Sequence, residues 1–262
     1  MNKLETLPWD IRLMNITSGL LLAVLLCLSL GISVWWVLRH PVFDLKGISV
    51  YGDVTHNNDV TLRANVTPQL SGNFFTLSLG HAQQAFESLP WVRKAIVRRE
   101  FPNRLRVRLE EHQAVALWGE NTDTSMVNQY GQVFEANVDD IDADSLPVLT
   151  GPLGQSVMVW QMYQYLSPIF NTVSMGVDKL ELTPRGSWRV KTDGDATIEL
   201  GRGTQEEVGQ RLKPFLQTVA QVTSRYQRTN TSLLAADLRH NNGYALRLRG
   251  VTTLVDEGKK KP

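Results

Sequence analysis

The organisation of this chain follows from its most apolar stretch, Met14–Leu38, which reads MNITSGLLLAVLLCLSLGISVWWVL and contains no Asp, Glu, Lys or Arg. A helix over Ile16–Leu38 would be about 34 Å long, which is enough to cross a hydrocarbon core of roughly 30 Å. Trp35 and Trp36 lie near its end, where indole rings favour the headgroup layer. The sequence therefore predicts one transmembrane helix over residues 16–38, preceded by a tail of residues 1–15.

Two other interpretations of this stretch are a buried core helix and a cleaved signal peptide. A core helix is rarely apolar on every face over such a length. A signal peptide has an apolar core of usually about 7–15 residues, followed by small residues at a cleavage site. Here the core is longer, and the bulky run Val34–Leu38 follows it. We therefore favour an uncleaved anchor.

The charges that flank the helix leave its orientation open. Lys3 and Arg12 precede the helix and Arg39 and Lys46 follow it, so Lys and Arg are balanced across it. The only cysteine, Cys27, lies within the predicted span, and the region after the helix can therefore form no internal disulfide. Such a cysteine content is compatible with either side of the membrane.

Composition argues against several classes of function for the region after the helix. The formal net charge is +1, and there is no basic stripe of the kind that binds nucleic acid. The five histidines lie far apart, without metal-ligand spacing. The acidic cluster at residues 139–144 lacks the glycine and the distal glutamate of an EF-hand, which favours a solvated loop. We expect no catalytic residues, no cofactor, no metal and no small-molecule substrate, so the sequence favours a binding protein.

The first part of the soluble region predicts a small sheet covered by two helices. After Asn103, apolar residues alternate with arginines, which indicates an antiparallel strand with helices on one side only. The elements before it are expected to be a strand over Phe43–Tyr51, helices over Asn57–Leu70 and Leu79–Leu89, and a strand over Trp91–Glu100. The order strand, helix, helix, strand, strand predicts a three-stranded sheet with both helices on its apolar face.

The second part, from about His112, is rich in short apolar runs that predict strands. The candidate strands are Ala114–Trp118, Ser125–Asn128, Val133–Glu135, Val177–Leu182, Trp188–Lys191, Thr197–Leu200, Ala235–Arg239 and Tyr244–Leu248. Two helices are expected between them, over Ser156–Phe170 and Gln205–Tyr226. The predicted class is thus α+β, with a larger β-rich domain that contains an antiparallel sheet and two helices.

Local sequence features indicate where the second of these helices begins and where it could bend. Thr204 and Glu207 form a capping box at its start. Pro214 lies inside the helical pattern, so we expect a kink there or a helix that begins later than the cap suggests. Gly201 and Gly203 just before the helix could suggest a phosphate-binding loop, but the third glycine is missing and we interpret them as turn residues.

One segment carries a family resemblance. Residues Leu89–Leu105, LPWVRKAIVRREFPNRL, resemble the signature of the bacterial cell-division family FtsQ/DivIB. In that family the motif PWV-x-x-A-x-V-x-R-x-(aromatic)-P joins the second helix of a POTRA domain to its last two strands. Weaker similarities follow in the family's order at Glu110–Trp118, Leu200–Gly203 and Asp237–Arg239.

The resemblance implies a domain organisation and a function. It implies a POTRA domain over residues 42–111, a β-rich FtsQ-type domain over 112–250 and a disordered tail over 251–262. It also implies a non-enzymatic, single-pass protein of the bacterial inner membrane at the division septum, with residues 1–15 in the cytoplasm and both domains in the periplasm. Such a protein would be a divisome scaffold that binds an FtsB/FtsL pair.

Partner binding is expected at the last strand, because an unpaired sheet edge can accept a strand from another chain. The alternative is that the chain's own tail covers this edge. The candidate partner-binding residues are Arg239, His240, Asn242, Gly243, Tyr244, Leu246, Arg247 and Leu248. A second candidate surface for other divisome proteins lies on the POTRA domain and comprises Arg93, Arg98, Arg99 and Arg106, although a solvated sheet face is the simpler interpretation.

Two other functions are alternatives to a scaffold. POTRA domains also occur in membrane-anchored modules for outer-membrane protein assembly or transport, where they typically come in series and precede a barrel. An anchored cell-wall enzyme would require titratable groups that converge in a cleft, and the sequence offers no such group.

Overall fold

The computed structural model describes residues 9–57, 59–120, 124–240 and 243–251. The chain divides into two compact units, Met1–Glu111 and His112–Pro262, and each has its own hydrophobic core. Most of the predicted C-terminal tail and the first eight residues of the predicted N-terminal tail lie outside the described residues.

The first unit begins with α1 (Trp9–Leu38), which contains the predicted membrane span but starts earlier than expected. Its apolar residues are not buried by any other described residue of the chain. The hydroxyl groups of Thr17, Ser29 and Ser33 donate to backbone carbonyls one turn earlier in the helix. These polar side chains are therefore satisfied without water, as a helix in lipid requires.

The rest of the first unit is the predicted three-stranded sheet with two helices. The strands are β1 (Gly47–Gly52), β2 (Val92–Glu100) and β3 (Arg104–Glu111), and the helices are α2 (Asp59–Val66) and α3 (Leu79–Glu87). The strand order is β1-β3-β2, in which β3 pairs antiparallel with β2 and parallel with β1. The first strand begins at Gly47 rather than at Phe43, and residues 41–43 form a 3-10 turn that His40 caps.

The alternation of apolar residues and arginines in β3 separates a buried face from an exposed face, as predicted. Leu105, Val107 and Leu109 are fully buried, while the intervening arginines are exposed. The three apolar side chains share one core cluster with Ala82 and Phe86 of α3. The strand thus has one face under the helices and one face toward solvent, as the period of two indicated.

A buried carboxylate fastens the loop before α2 to the end of β3. Glu111 accepts hydrogen bonds from the backbone N–H groups of Thr55 (3.0 Å), His56 (3.1 Å) and Asn57 (3.1 Å) and from the Asn57 side chain (2.8 Å). Burial raises the pKa of the Glu111 carboxyl, but the hydrogen bonds from Asn57 and His56 outweigh burial and leave the pKa below its ordinary value. Glu111 is therefore a charged structural anchor.

The second unit is built on a nine-stranded sheet. Its strands are β4 (Ala114–Trp118), β5 (Ser125–Asn128), β6 (Val133–Glu135), β7 (Val148–Thr150), β8 (Val177–Leu182), β9 (Ser187–Thr192), β10 (Thr197–Arg202), β11 (Leu233–Asp237) and β12 (Ala245–Leu248). Its helices are α4 (Ser156–Asn171) and α5 (Gln205–Arg225). The strand order is β12-β11-β10-β9-β8-β7-β4-β5-β6.

This sheet is mixed, which corrects the expectation of an antiparallel one. The pairs β4–β7, β7–β8 and β10–β11 are parallel, and the other pairs are antiparallel. The helix α4 connects β7 to β8, and α5 connects β10 to β11. A helical crossover returns the chain in the same direction, so these neighbours are parallel. The short strand β7 was missing from the sequence prediction.

The start of α5 agrees with its capping box. The Thr204 hydroxyl accepts from the Glu207 N–H (3.4 Å), and the Glu207 carboxylate accepts from the Thr204 N–H (2.9 Å). The helix begins directly after this cap and continues through Pro214, so the expected later start is wrong. Gly201 lies at a bulge in β10 rather than in a turn, and its φ of 80° explains the preference for glycine there.

Candidate functional site

The candidate site is the end of the nine-stranded sheet that β12 forms. This strand pairs with β11 on one side, and no described residue pairs with its other side. The strand is four residues long and lies close to the end of the described chain. A free edge of this kind offers backbone donors and acceptors to another chain.

Backbone contacts of β11 show which of its residues face β12. The N–H of Leu238 donates to the carbonyl of Glu199 in β10 at 2.9 Å. Because successive residues of a strand direct their backbone groups to opposite sides, Ala236 also faces β10, whereas Ala235 and Asp237 face β12.

The register then identifies the backbone groups on the free edge. Ala235 lies opposite Arg247, and Asp237 lies opposite Ala245, so these two pairs exchange the hydrogen bonds between β11 and β12. The residues between and beside them, Tyr244, Leu246 and Leu248, direct their N–H and C=O groups away from β11. The carbonyl of Leu248 already accepts from the N–H of Val251 at 3.3 Å. The free edge therefore offers its main-chain hydrogen bonds chiefly at Tyr244 and Leu246, with the N–H of Leu248 beside them.

The side chains of β12 divide between the two faces of the sheet. Leu248 is buried and Leu246 is partly buried against the core of the second unit. Ala245 and Arg247 are exposed on the opposite face. The strand is thus held by apolar contacts on one face, while its edge and its other face stay accessible.

The segment before β12 is attached to α5 by an aromatic side chain. The hydroxyl of Tyr244 forms a hydrogen bond with the hydroxyl of Thr218, and its ring meets the ring of Phe215 edge-on at 5.3 Å between centroids. Gly243, just before it, has a φ of 153°. These contacts fix the chain where it enters the edge strand.

Arg239 lies at the end of β11 and bonds to a neighbouring carboxylate. Its Nε and Nη2 donate to the Asp237 carboxylate at 2.9 and 2.5 Å, and its backbone N–H donates to the same group at 3.0 Å. These contacts, led by the hydrogen bond from the Arg239 side chain, lower the pKa of Asp237 to about 2. Asp237 is therefore ionised at neutral pH and orients the guanidinium of Arg239, which the sequence placed among the partner-binding residues.

A groove of about 1090 Å³ runs between α5 and the segment that leads into β12. Arg202, Arg211 and Arg225 line it, together with Glu207 and His240. The Arg211 guanidinium donates to the Arg202 carbonyl, while its buried Nε has no hydrogen-bond partner among the described residues. A groove with three guanidinium groups and one carboxylate suits an acidic segment.

The structure gathers most of the predicted binding residues in one place. Arg239, His240, Gly243 and residues 244–248 all lie at this end of the sheet, and Asn242 lies outside the described residues. Sequence reasoning missed the contribution of Arg202 and Arg211. Both arginines are visible in the sequence, one directly after Gly201 and the other within the first two turns of α5. Their proximity to β12, however, depends on the tertiary fold.

The four arginines predicted as a POTRA surface are divided between different environments. Arg98 lies opposite Arg106, whose guanidinium stacks on the Tyr51 ring at 4.9 Å. Arg93 forms an ion pair with Glu110. Arg99 lies opposite the buried Leu105 and therefore on the helix-covered face. Its Nε donates to the carbonyl oxygen of residue 74 at 2.6 Å, which gives this arginine a role in fixing the neighbouring loop.

No group of three or more His, Cys, Asp or Glu side chains that could hold a metal ion occurs within the part of the chain that the structure describes. The acidic residues 139–144 form two short 3-10 turns, Val138–Asp140 and Ala143–Ser145.

Comparison with protein families gives two adjoining matches. Residues 43–112 match the model of the POTRA domain, FtsQ-type. Residues 116–239 match the model of the C-terminal region of cell division protein FtsQ/DivIB. The second match ends before β12, so the candidate edge strand follows the matched region.

Curated relatives extend the similarity over nearly the whole chain. Cell division protein FtsQ of Thiomonas arsenitoxydans is 39% identical over 247 residues, which cover 94% of this chain and 90% of the relative. The proteins of the same name from Burkholderia pseudomallei and Bordetella pertussis are each 36% identical. The alignments cover 96% of this chain and 98% of the Burkholderia protein, and 91% and 92% in the Bordetella comparison.

Proposed function

Because the chain belongs to the FtsQ/DivIB family of bacterial cell-division proteins, we propose that it is a non-enzymatic scaffold of the divisome that recruits an FtsB/FtsL pair. In this proposal α1 anchors the protein in the inner membrane at the division septum. Residues 1–15 face the cytoplasm and the two domains face the periplasm, where the partner pair is captured by strand addition to β12.

The observation that carries this proposal is the free edge of β12. A partner segment in an extended conformation would lie about 4.8 Å from the strand and bond to the outward groups of Tyr244 and Leu246 and to the N–H of Leu248. Main-chain pairing of this kind supplies affinity with little demand on the partner's sequence. It therefore suits a scaffold whose task is to hold another chain in place.

In this proposal, the groove beside β12 selects partners by their charge. Arg202, Arg211 and Arg225 would attract acidic side chains that flank the partner's strand. Charge complementarity of this kind raises the association rate and disfavours basic competitors more than it adds affinity. Arg239 lies next to the same groove, with its guanidinium oriented by Asp237.

Capture by the full-length protein tests the proposal. Leu246→Pro removes one outward N–H from an edge strand, where proline is otherwise tolerated, and we expect binding of the FtsB/FtsL pair to weaken at least about tenfold, which is a loss of about 1.4 kcal/mol. The matched control is Leu246→Ala, which removes the same side chain and keeps the N–H. We expect the alanine variant to bind much more tightly than the proline variant.

Thermal unfolding of both variants establishes that the second unit remains folded. A well-folded Leu246→Pro protein that binds as tightly as Leu246→Ala would rule out strand addition at this edge. The orientation is tested separately by the accessibility of the C-terminal domain to protease in spheroplasts. Protection of that domain in spheroplasts with an intact membrane would contradict a periplasmic scaffold.

A further inference from the structure

A cluster of four phenylalanines lies at the end of the first unit where α1 stops. Phe43 and Phe75 meet edge-on at 4.8 Å between ring centroids, Phe74 and Phe75 meet at 5.2 Å, and Phe74 and Phe101 meet at 6.0 Å. Phe74 is buried, but Phe75 is 41% exposed and Phe101 is 75% exposed. We refer to these four residues as the phenylalanine cluster.

Hydrogen bonds hold this cluster directly to the end of the membrane helix. The side-chain amide of Asn73 donates to the carbonyl of Leu38, the last residue of α1, at 2.5 Å. The N–H of Phe74 donates to the carbonyl of Phe43 at 2.9 Å. The loop that carries Phe74 and Phe75 is therefore hydrogen-bonded directly to the C-terminal end of α1.

A second set of contacts makes this loop rigid. The Arg99 guanidinium donates to the carbonyl of Phe74 at 2.6 Å and to the carbonyl of Leu77 at 2.7 Å. The side-chain oxygen of Asn73 accepts from the N–H groups of Phe75 (3.1 Å) and Thr76 (3.0 Å). The exposed rings are thus presented by an ordered turn.

The depth of α1 in a bilayer sets the depth of the cluster. Trp35 and Trp36 lie in the last turn of the helix, and indole rings favour the headgroup layer. Leu38 follows them, so a loop bonded to its carbonyl lies at the same layer. Exposed aromatic rings at that depth replace contact with water by contact with the apolar part of the interface, which is favourable.

Charged residues around the cluster are also compatible with a lipid surface. The Arg39 guanidinium lies 4.8 Å from the Trp35 ring centroid, and the Lys46 N–H donates to the carbonyl of Asn103 beside Arg104. Asp44 directly follows Phe43, and Glu100 lies opposite Arg104 in the sheet. With Arg99, four basic side chains and two carboxylates lie near the cluster, and basic groups next to a membrane bind its phosphates.

We propose that the phenylalanine cluster inserts into the headgroup layer of the same membrane that α1 crosses, so that the POTRA domain is docked on the lipid surface. The proposal requires that α1 spans the membrane, and it is independent of the side the domain faces and of partner capture at β12. The opposite end of the domain is far from the cluster, since β3 from Arg104 to Glu111 is about 23 Å long at about 3.3 Å per residue.

Depth-dependent fluorescence quenching of the full-length chain tests this docking. With Cys27→Ser as background, bimane is attached at Ser71→Cys, close to the cluster, or at Asp53→Cys, at the opposite end of β1. The proteins are placed in vesicles of phosphatidylethanolamine and phosphatidylglycerol, with or without lipids brominated near the headgroup. We expect brominated lipid to reduce the fluorescence at position 71 and to leave position 53 unchanged.

The decisive comparison removes the exposed rings. Phe75→Ser combined with Phe101→Ser is expected to abolish the quenching at position 71, because the domain is then tethered but not inserted. The matched control is Val60→Ser, since Val60 is 76% exposed and lies on α2, outside the cluster. This control is expected to keep the quenching, and circular dichroism on heating is expected to show a folded POTRA domain in every variant.

Two results would overturn the proposal. The first is quenching at position 71 that does not exceed that at position 53, or that persists after both phenylalanines are replaced. The second is quenching that disappears when the protein is diluted in lipid, together with cross-linking between copies at Ser71→Cys, which would assign the cluster to contact between two chains.

Discussion

The two units of this protein end their sheets in different ways. In the first unit, Glu111 at the end of β3 accepts from the loop before α2, and Arg99 of β2 donates to the loop before α3, which Asn73 joins to the last carbonyl of α1. In the second unit, the terminal strand β12 is held by one neighbouring strand and by the contact of Tyr244 with α5. Both sheets end in strands that pair on one side only among the described residues, but side-chain hydrogen bonds tie the first sheet to its neighbouring loops, whereas β12 depends on β11 and on the packing of its own side chains.

The largest expected effect comes from the core that supports the open edge. Phe215 of α5 is fully buried and contacts the Tyr244 ring. Phe215→Ala is expected to lower the free energy of unfolding of the second unit by about 3–5 kcal/mol and to release the segment before β12. Hydrogen exchange followed by mass spectrometry is expected to show faster exchange in residues 205–248 and no change in residues 92–111.

The control for this variant is Tyr226→Ala at the exposed end of α5, where we expect a change within about 0.5 kcal/mol. Equal effects of the two substitutions, or faster exchange in the first unit after Phe215→Ala, would contradict the separation of the two cores.

An intermediate effect is expected at the anchor of the first unit. Glu111→Gln replaces a carboxylate that accepts from Thr55, His56 and Asn57, and is expected to cost about 1–3 kcal/mol. The lowered pKa of Glu111 sets the pH dependence. Its stabilising contribution is complete above the ordinary carboxyl pKa of 4.5 and is lost as the pH falls through the lower pKa of the folded state.

Urea unfolding at several pH values measures this effect. The difference between wild type and Glu111→Gln is expected to be constant near neutral pH and to shrink at acidic pH. Glu110→Gln serves as the control, because Glu110 forms a half-exposed ion pair with Arg93 that is worth at most about 1 kcal/mol. A Glu111 difference that grows on acidification would contradict the assigned role.

The smallest expected effect concerns the attachment of Tyr244, just before the edge strand, to α5. Tyr244→Phe removes the hydrogen bond to Thr218 and keeps the ring on Phe215, so we expect a cost of about 0.5–1.5 kcal/mol. Amide exchange in residues 243–248 is expected to rise, while the melting of the first unit stays unchanged. Tyr226→Phe is the control, and slower exchange in Tyr244→Phe than in that control would argue against an anchoring role.

Much of the architecture could be predicted because its signals are local. The period of two in β3 identified the buried face around Leu105, and the pair Thr204 and Glu207 located the start of α5. The strand at residues 244–248 was also expected within one residue of its observed start. By contrast, β7 is three residues long, which is too short to show an apolar periodicity. Because this strand was not predicted, its parallel pairing with β4 and β8 was not predicted either.

The arginines of the POTRA domain show how neighbouring residues separate in a strand. Arg98 and Arg99 are adjacent in sequence, but successive side chains of β2 point to opposite faces. Arg98 is on the solvent face with Arg106, whereas Arg99 bonds to the loop next to α1. Grouping them as one surface from the sequence ignored this alternation.

The sequence by itself determined the long apolar helix, the division of the region after it into two parts, the start of α5 and the family, because each depends on composition or on spacing within a short segment. Only the tertiary structure decided that β12 is an edge, that Arg202 and Arg211 flank it, and that Asn73 reaches Leu38. The physical reason is that strand order and long-range contacts arise from the packing of distant segments, and no local period or charge pattern encodes which segments will meet.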